Sequence, residues 1–409
     1  MKTFLYILFV FGFSTFGLSQ SLDSLLRLVV EHNPELKALH LEYEAQLTKV
    51  DQVSQLPNPQ IGVGVPVLRP ETRLGPQVVM VGASQMFPWF GTFDAKKDAV
   101  LAISKVKYEQ ITTTRLQLYT KVKVAYHQLV LTGQKSQIYD ELIDRFESLH
   151  SVALSKVESG KTSTADALRI ELRLEEIKQM KSQLEDERIE HSASISSLTN
   201  LPITAIISPI GEIEIPEIDT DPESYLAKVR EGYPMFKALD HQIQASEARV
   251  AINNKVNAPT VGFGLDYALV NERTDMNPEF NGRDILVPKV MVKIPIYRKQ
   301  YNAVNKMEAL NQESIAYQKD NLGQIVLAQL TQFTTDYNRA KNDIEFYQAQ
   351  ITKINSIYEI LLAEYGVNGK GFDELLKIEN ELLTYSISEQ KAKMLMQIAK
   401  VNIDKYTDF

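Results

Sequence analysis

From Phe93 to Asn200 the chain runs more than a hundred residues without a proline, and it holds only two glycines there, Gly133 and Gly160. Proline breaks helix interiors because it lacks a donor and clashes with the preceding turn, so its absence permits uninterrupted helix. Gly160 sits in Ser159-Gly160-Lys161-Thr162-Ser163-Thr164, a cluster of turn formers with N-cap residues just before Ala165. The pattern predicts a long outgoing helix, a tight reversal near 160 and a returning helix. An arm of about 65 residues would reach roughly 95 Å at 1.5 Å per residue. That exceeds an ordinary domain, so the hairpin needs partners along its length.

A second stretch, Ile296 to Phe409, is also free of proline, and its glycines gather at Gly366, Gly369 and Gly371, apart from Gly323. Here the seam is legible. Ile344, Tyr347, Ile351, Ile354, Tyr358, Leu361 and Tyr365 alternate in steps of three and four. After a reversal near 369, Leu375, Ile378, Leu382, Tyr385, Ala392, Met396 and Ala399 hold the same phase, with Glu389 as the polar exception. Such spacing is a coiled-coil seam, and a long helical bundle is the alternative.

The sequence ahead of each hairpin repeats. His32-Asn33-Pro34-Glu35-Leu36-Lys37-Ala38-Leu39 returns as Gly232-Tyr233-Pro234-Met235-Phe236-Lys237-Ala238-Leu239. Pro59-Gln60-Ile61-Gly62-Val63-Gly64 returns as Pro259-Thr260-Val261-Gly262-Phe263-Gly264. Phe87-Pro88-Trp89 corresponds to Ile294-Pro295-Ile296. Two copies of one plan are expected: residues 20–200 and 223–409, each running helix, strand, loop, strand, long helical hairpin. Residues 201–222, with prolines at 202, 209, 216 and 222, form an irregular acidic linker able to wrap outside a bundle.

Residues 60–68, 78–87, 260–270 and 286–296 alternate apolar with small or polar residues, the pattern of strands with one greasy face. In a soluble protein this is a sheet with one wet face. In a membrane it is lipid outside and a watery lumen inside. Four strands cannot close a barrel, since the smallest transmembrane barrels use about eight, and an open edge in lipid leaves backbone groups unpaired. Membrane strands would therefore require several chains to share one barrel, and three copies give twelve strands. Phe87, Trp89, Phe90 and Tyr297 cluster at strand ends, as an interface belt would, or as packing at a helix–sheet junction.

The remaining composition narrows the classes. A net charge of -8 without a dense basic cluster argues against a nucleic-acid surface. The absence of cysteine removes disulfides, thiolate chemistry and a lipid-anchor cysteine. Lys2, the apolar run Phe4–Phe16 and Gly17-Leu18-Ser19 resemble an export signal over residues 1–19, cleaved to leave Gln20 first; an uncleaved anchor is the alternative. The six histidines are scattered, Glu147–His150 is the single ExxH, and no dinucleotide loop, P-loop, GxSxG or triad pattern is present. No enzyme and no cofactor are expected. Met80, Met86 and Met291 could serve as soft metal ligands, although scattered methionines more often pack.

With the repeat go Asn33-Pro34-Glu35-Leu36, Pro57-Asn58-Pro59, Ser84-Gln85-Met86-Phe87-Pro88-Trp89-Phe90-Gly91 and Tyr365-Gly366-Val367-Asn368-Gly369-Lys370-Gly371-Phe372-Asp373-Glu374-Leu375-Leu376. As an ordered set these resemble the TolC-like outer-membrane efflux family across nearly the whole mature chain. The resemblance implies a mainly α fold with a small β part: long antiparallel coiled-coil hairpins plus four transmembrane strands per chain, in a homotrimer with an α-barrel and a shared β-barrel. It implies a passive exit duct in the outer membrane of a Gram-negative bacterium. Its partners are outer-membrane lipid, a periplasmic adaptor and an inner-membrane transporter, and no nucleic acid. By the same resemblance Tyr365, Lys370, Asp373 and Glu374 form a periplasmic gate, and Gly160, Lys161, Gly369 and Gly371 mark adaptor-docking turns. The next acidic gate position falls on Lys377, a departure from the family pattern. The gate charges also fit a plain helix start that complements its dipole. The Phe87–Gly91 segment looks most like the branch paired with metal-ion exporters. A soluble periplasmic coiled-coil adaptor or scaffold is the competing expectation.

Overall fold

The computed structural model describes residues 21–209, 214–368 and 371–409. The expected export signal lies outside these residues, as do Gly369 and Lys370. The chain is mainly helical with a small antiparallel sheet. Its elements are α1 (Leu22–His32), α2 (Pro34–Val53), β1 (Gln60–Gly64), β2 (Glu71–Thr72), β3 (Gly75–Phe87), α3 (Thr92–Glu158) and α4 (Thr164–Thr199). They continue with α5 (Pro222–Gly232), α6 (Pro234–Val256), β4 (Thr260–Val270), β5 (Ile285–Lys293), α7 (Lys299–Asn368) and α8 (Phe372–Thr407). By contact they divide into two compact units. One comprises residues up to 37 with 112–233 and 324–409; the other comprises 38–111 and 234–323. The long helices α3 and α7 contribute to both.

The first unit is helical. Ser163 caps α4 by accepting a hydrogen bond from the Ala165 N–H at 3.1 Å, and Gly160 turns the chain at φ 70°. Its main core draws on four helices: Leu142, Phe146 and Leu149 from α3, Ile170 and Ile177 from α4, Tyr365 from α7, and Leu375 and Leu383 from α8. The α7–α8 seam buries Ile344, Ile354, Leu375, Leu382, Ala392, Met396 and Ala399, as the three-four rhythm predicts. Each fully buried aliphatic side chain contributes about 1.5–3 kcal/mol relative to exposure, which is why the helical faces adhere. The linker packs on the same seam: the Tyr337 hydroxyl donates to the Pro216 carbonyl at 2.6 Å, and Gln397 donates to the Glu214 carbonyl at 2.6 Å. Between α1 and α2, buried Asn33 accepts from the Glu35 and Leu36 N–H groups and donates to the Leu198 carbonyl at 2.8 Å. The equivalent break between α5 and α6 is held differently, by the buried Tyr233 ring 5.1 Å from Tyr406.

The second unit contains the sheet, in the order β1-β3-β4-β5 with β2 paired to β3 alone. β3 pairs with β4, so the central ladder joins strands from distant parts of the sequence. β1 ends at Gly64, short of the expected 68, while β3 begins earlier, at Gly75. β5 ends at Lys293, ahead of Pro295, which cannot donate to a ladder. Register sorts the residues into two faces. Val63, Val81, Tyr267 and Leu286 form one cross-strand row, and Gln85, Phe263 and Val290 another. On the opposite face lie Ser84, Gly264 and Lys289 in one row and Gly82, Asp266 and Val287 in the next. Lys289 and Asp266 pair at 2.6 Å across that face. A Cβ on Gly82 would come within 2.4 Å of the Asp266 carboxylate, and one on Gly264 within 2.7 Å of the Lys289 side chain. The glycines therefore make room for this ion pair.

Gly75 begins β3 at φ 131°, where a Cβ would fall 1.7 Å from the Asn271 carbonyl oxygen. Gly62, by contrast, has open space around it. Gly75→Ala should therefore lower stability by about 2–4 kcal/mol, through strain and backbone overlap. Gly62→Ala should remain within about 0.5 kcal/mol of the parent, as open surface changes do. Thermal or urea unfolding of both variants in detergent measures the contrast.

Candidate functional site

Two regions carry the functional expectations, one in each unit. In the sheet unit, β3 has 13 residues, β4 has 11 and β5 has 9. Those lengths suit strands that cross a hydrocarbon layer, whereas β1, with 5, does not reach that span. One face is exposed and apolar: Ile61 is 74% exposed, Val63 69%, Phe263 57% and Val290 66%. β3 and β5 run in the same direction, so Phe87, Trp89 and Phe90 follow one strand end and Tyr297 follows the corresponding end of the other. All four are exposed, Phe90 at 86% and Tyr297 at 80%. Trp89 and Phe90 pack edge to face at 6.1 Å, and Phe87 meets Phe263 at 6.0 Å. Of the three candidate methionines, Met86 and Met291 flank Gly262 in register, while Met80 lies six residues away along β3. Register does not gather the three. Among the described residues no helix is long and apolar enough to cross a membrane, and no cluster of three metal-ligating His, Asp or Glu side chains occurs.

In the helical unit, the hairpin α3–α4 is tied to α7–α8 near the turn at 160. The Lys156 ammonium donates to the Gly366 carbonyl at 2.7 Å and rests 5.9 Å from the centre of the Tyr365 ring. Arg169 pairs with Asp373 at 2.7 Å. Arg173 hydrogen-bonds Asn380 and pairs with Glu176 at 2.7 Å. Arg145 stands 3.8 Å from Glu379. These ties are unequal. A hydrogen bond from a charged group is worth about 1.5–3 kcal/mol when buried, and Lys156 is 8% exposed. The Arg169–Asp373 pair lies in solvent and is worth at most about 1 kcal/mol.

Of the expected gate residues, Tyr365 is fully buried, with its ring 5.6 Å from Phe372. Its hydroxyl lies beside Thr162 and Asp166 without closing a hydrogen bond; Thr162 instead donates to Asp166 at 2.7 Å. Burial, with the Asp166 charge, raises the phenol's pKa and keeps it neutral. Asp373 is exposed and held by Arg169, while Glu374 is exposed and forms no ion pair among the described residues. The structure therefore separates these residues: Tyr365 is a core side chain, and the acids face outward. Gly160, Lys161 and Gly371 lie at the turns, with Lys161 exposed and Gly371 at φ 83° ahead of α8.

Sequence reasoning missed Lys156, Arg169, Arg173, Arg145 and Glu379. One signal was present for the last. Leu375, Glu379 and Leu383 are spaced four apart, which places the carboxylate on an apolar helical face. Glu379 is 3% exposed. Burial raises its pKa above the ordinary carboxylate value, against the opposing effects of Arg145 and the Tyr358 hydroxyl. A carboxyl whose folded pKa is raised binds its proton more tightly when packed than when hydrated. The stability it contributes is therefore full at acid pH and declines as pH rises through the raised value. Glu379→Gln should remove that decline, so the drop in melting temperature from pH 5 to pH 8 should shrink in the variant. Paired melting curves at the two pH values provide the check.

Comparison with known proteins agrees with this architecture. Residues 25–201 match the family model described as "Outer membrane efflux protein". No curated protein matches the chain by sequence. Among solved structures, the outer-membrane channel OprN is similar at TM-score 0.72 and 15% identity, over 94% of this chain and 89% of that one. CusC, studied for folding and transmembrane channel formation, gives 0.72 and 13%, over 94% and 91%. The Campylobacter jejuni outer membrane channel CmeC gives 0.71 and 14%, over 94% and 85%. Residues 25–201 are thus similar in sequence to the outer membrane efflux protein family, and over 94% of its length the chain shares the fold of these solved outer-membrane channels.

Proposed function

We propose that this protein is a passive exit duct in the outer membrane of a Gram-negative bacterium, extending into the periplasm and acting without chemistry of its own. The observation that carries the reading is the sheet: among the described residues, four main strands, an exposed apolar face, an opposite face with an Asp266–Lys289 pair, and edge strands β1 and β5 without a second partner. In hydrocarbon every unpaired backbone group costs several kcal/mol, so such a sheet needs copies of itself to close. Three chains supply twelve strands, an even number within the range of known barrels, with each β1 covering only part of the depth. The exposed aromatics then anchor the interface with headgroups.

In this reading the helical hairpins form the periplasmic part, and the turns at Gly160–Lys161 and Gly369–Gly371 receive a periplasmic adaptor. An inner-membrane pump supplies the energy and delivers small molecules or metal ions. The gate is the set of ties between α3–α4 and α7–α8, together with Lys370 and the acids Asp373 and Glu374. Opening requires the Lys156–Gly366 and Arg169–Asp373 links to break while each hairpin keeps its own seam. The competing reading, a soluble periplasmic scaffold, leaves the apolar sheet face without a use.

Osmotic-shock fractionation tests placement: the protein should stay with the outer membrane, and recovery in the soluble periplasm would sink the duct reading. Negative-stain imaging in mild detergent should show a threefold tube. In planar bilayers, Lys156→Met combined with Arg169→Gln should raise single-channel conductance or open time over the parent. Lys370→Ala should do the same, whereas Tyr365→Phe, which removes a hydroxyl that closes no hydrogen bond, should leave the traces as in the parent. Unchanged traces in both the double variant and Lys370→Ala would remove the gate from this position.

A further inference from the structure

The helical unit holds a cavity of about 410 Å³ between α3 and α8, closed at its margin by Leu26 of α1 and by Phe409. Three cations line it: Arg115 and Lys123 from α3, and Lys405 from α8. Arg115, Tyr119 and Lys123 are spaced four residues apart and so share one helical face. Arg115 and Lys123 start about 12 Å apart along the axis, and both line the cavity.

None of the three cations forms an ion pair among the described residues. Partly buried lysines elsewhere do: Lys135 with Glu187 at 3.2 Å, Lys319 with Asp240 at 2.5 Å, and Lys393 with Glu389 at 2.8 Å. Two carboxylates also border the cavity, but Asp404 is already held by Lys400 at 2.6 Å. Asp408 accepts a long contact from the Thr407 hydroxyl at 3.5 Å. The Arg115 Nε is buried with no hydrogen-bond partner. The Lys405 ammonium reaches only a neutral group, the Tyr406 hydroxyl at 3.3 Å, and lies 4.9 Å from that ring's centre.

We propose that this cavity binds a small oxyanion, a phosphate or a carboxylate, held by Arg115, Lys123 and Lys405. The planar guanidinium fork matches such groups in a bidentate manner, and two ammonium groups add point charges from the sides. A buried N–H without a partner is a standing cost that an acceptor oxygen relieves. Two neighbouring titrations reflect burial at this place. Burial lowers the Lys405 pKa with no carboxylate opposing it. His127, one turn past Lys123, is pushed down to about 4 by burial and by the Lys123 charge. The site lies apart from the ties near residue 160 and does not depend on the duct reading.

Isothermal titration of the mature full-length protein in detergent, in chloride buffer at fixed ionic strength, tests the site. Inorganic phosphate and succinate are the two probes, and the stronger of them identifies the anion class. A saturable heat is expected at one site per chain. Arg115→Gln and Lys405→Gln should each weaken it by about tenfold or more, the worth of a charge-assisted hydrogen bond. Lys341→Gln, an exposed lysine on α7, should leave it unchanged. Circular dichroism melts confirm that the variants fold, and Lys123→Gln replaces either one that does not. The proposal is overturned if neither probe gives saturable heat, or if the cavity variants bind as the parent does. A structure of the assembled protein with a neighbouring chain's carboxylate seated on Arg115 and Lys405 would also overturn it.

Discussion

The backbone groups along β1 and β5 that face away from the sheet set the terms for everything else in this chain. In water such edges are tolerable. Against hydrocarbon they are not, because no solvent competes for the unpaired N–H and C=O groups. The apolar face formed by Ile61, Val63, Phe263 and Val290 is what makes water an unfavourable surrounding for the sheet. The same alternation that exposes these residues aligns Ser84, Asp266 and Lys289 on the other face, where glycines leave them room. One chain meets both requirements only in part, and the proposed assembly follows from that shortfall.

The helical unit solves a different problem. Hairpins this long gain little from helix propensity alone and depend on packing along their seams. Most of that packing is apolar and cannot be undone locally without loss, as the joint core of Leu142, Ile170, Tyr365 and Leu375 illustrates. The polar ties near residue 160 are of another kind. The Arg169–Asp373 pair can exchange with water while the apolar seams persist, whereas Lys156 on the Gly366 carbonyl and the Arg145–Glu379 approach are sheltered links that hold more firmly. A conformational change confined to such links costs a few kcal/mol, within the differential binding that a docked partner can supply. Glu379 adds a sensitivity to pH, since its carboxylate is stripped of water without a full complement of hydrogen bonds.

Much of the fold was legible because periodicity is a local property. The proline-free runs, the three-four rhythm from Ile344 to Tyr365 and the alternation in β3, β4 and β5 report which face of each element is greasy, and burial follows. Strand ends were less legible. β1 stops at Gly64, opposite Met80, although Val65 and Val67 continue the alternation; β3 runs on to Gly75, where β2 takes up its end at Pro76 and Gly75. The candidate gate was legible at its turn and not in its contacts. Tyr365 was singled out, but its burial brings in Lys156, about two hundred positions away, as well as the nearby Phe372. Lys156, Arg169 and Arg173 look like ordinary surface charges in the sequence. Only the packing of one hairpin on the other decides which of them meet a carbonyl, a carboxylate or an amide.

The sequence by itself determined the inventory of elements: two long helical hairpins, short strands with one apolar face, and turns at glycine. These depend on local sterics and on a periodicity of two or of about three and a half, which adjacent residues specify. The tertiary structure alone decided the pairing of β3 with β4, the approach of Arg145 to Glu379, the tie from Lys156 to Gly366, and the gathering of Arg115, Lys123 and Lys405 around one cavity. Each of those joins residues far apart in the chain. Its free energy depends on distance, desolvation and the partner's identity, and none of these exists until the elements have packed.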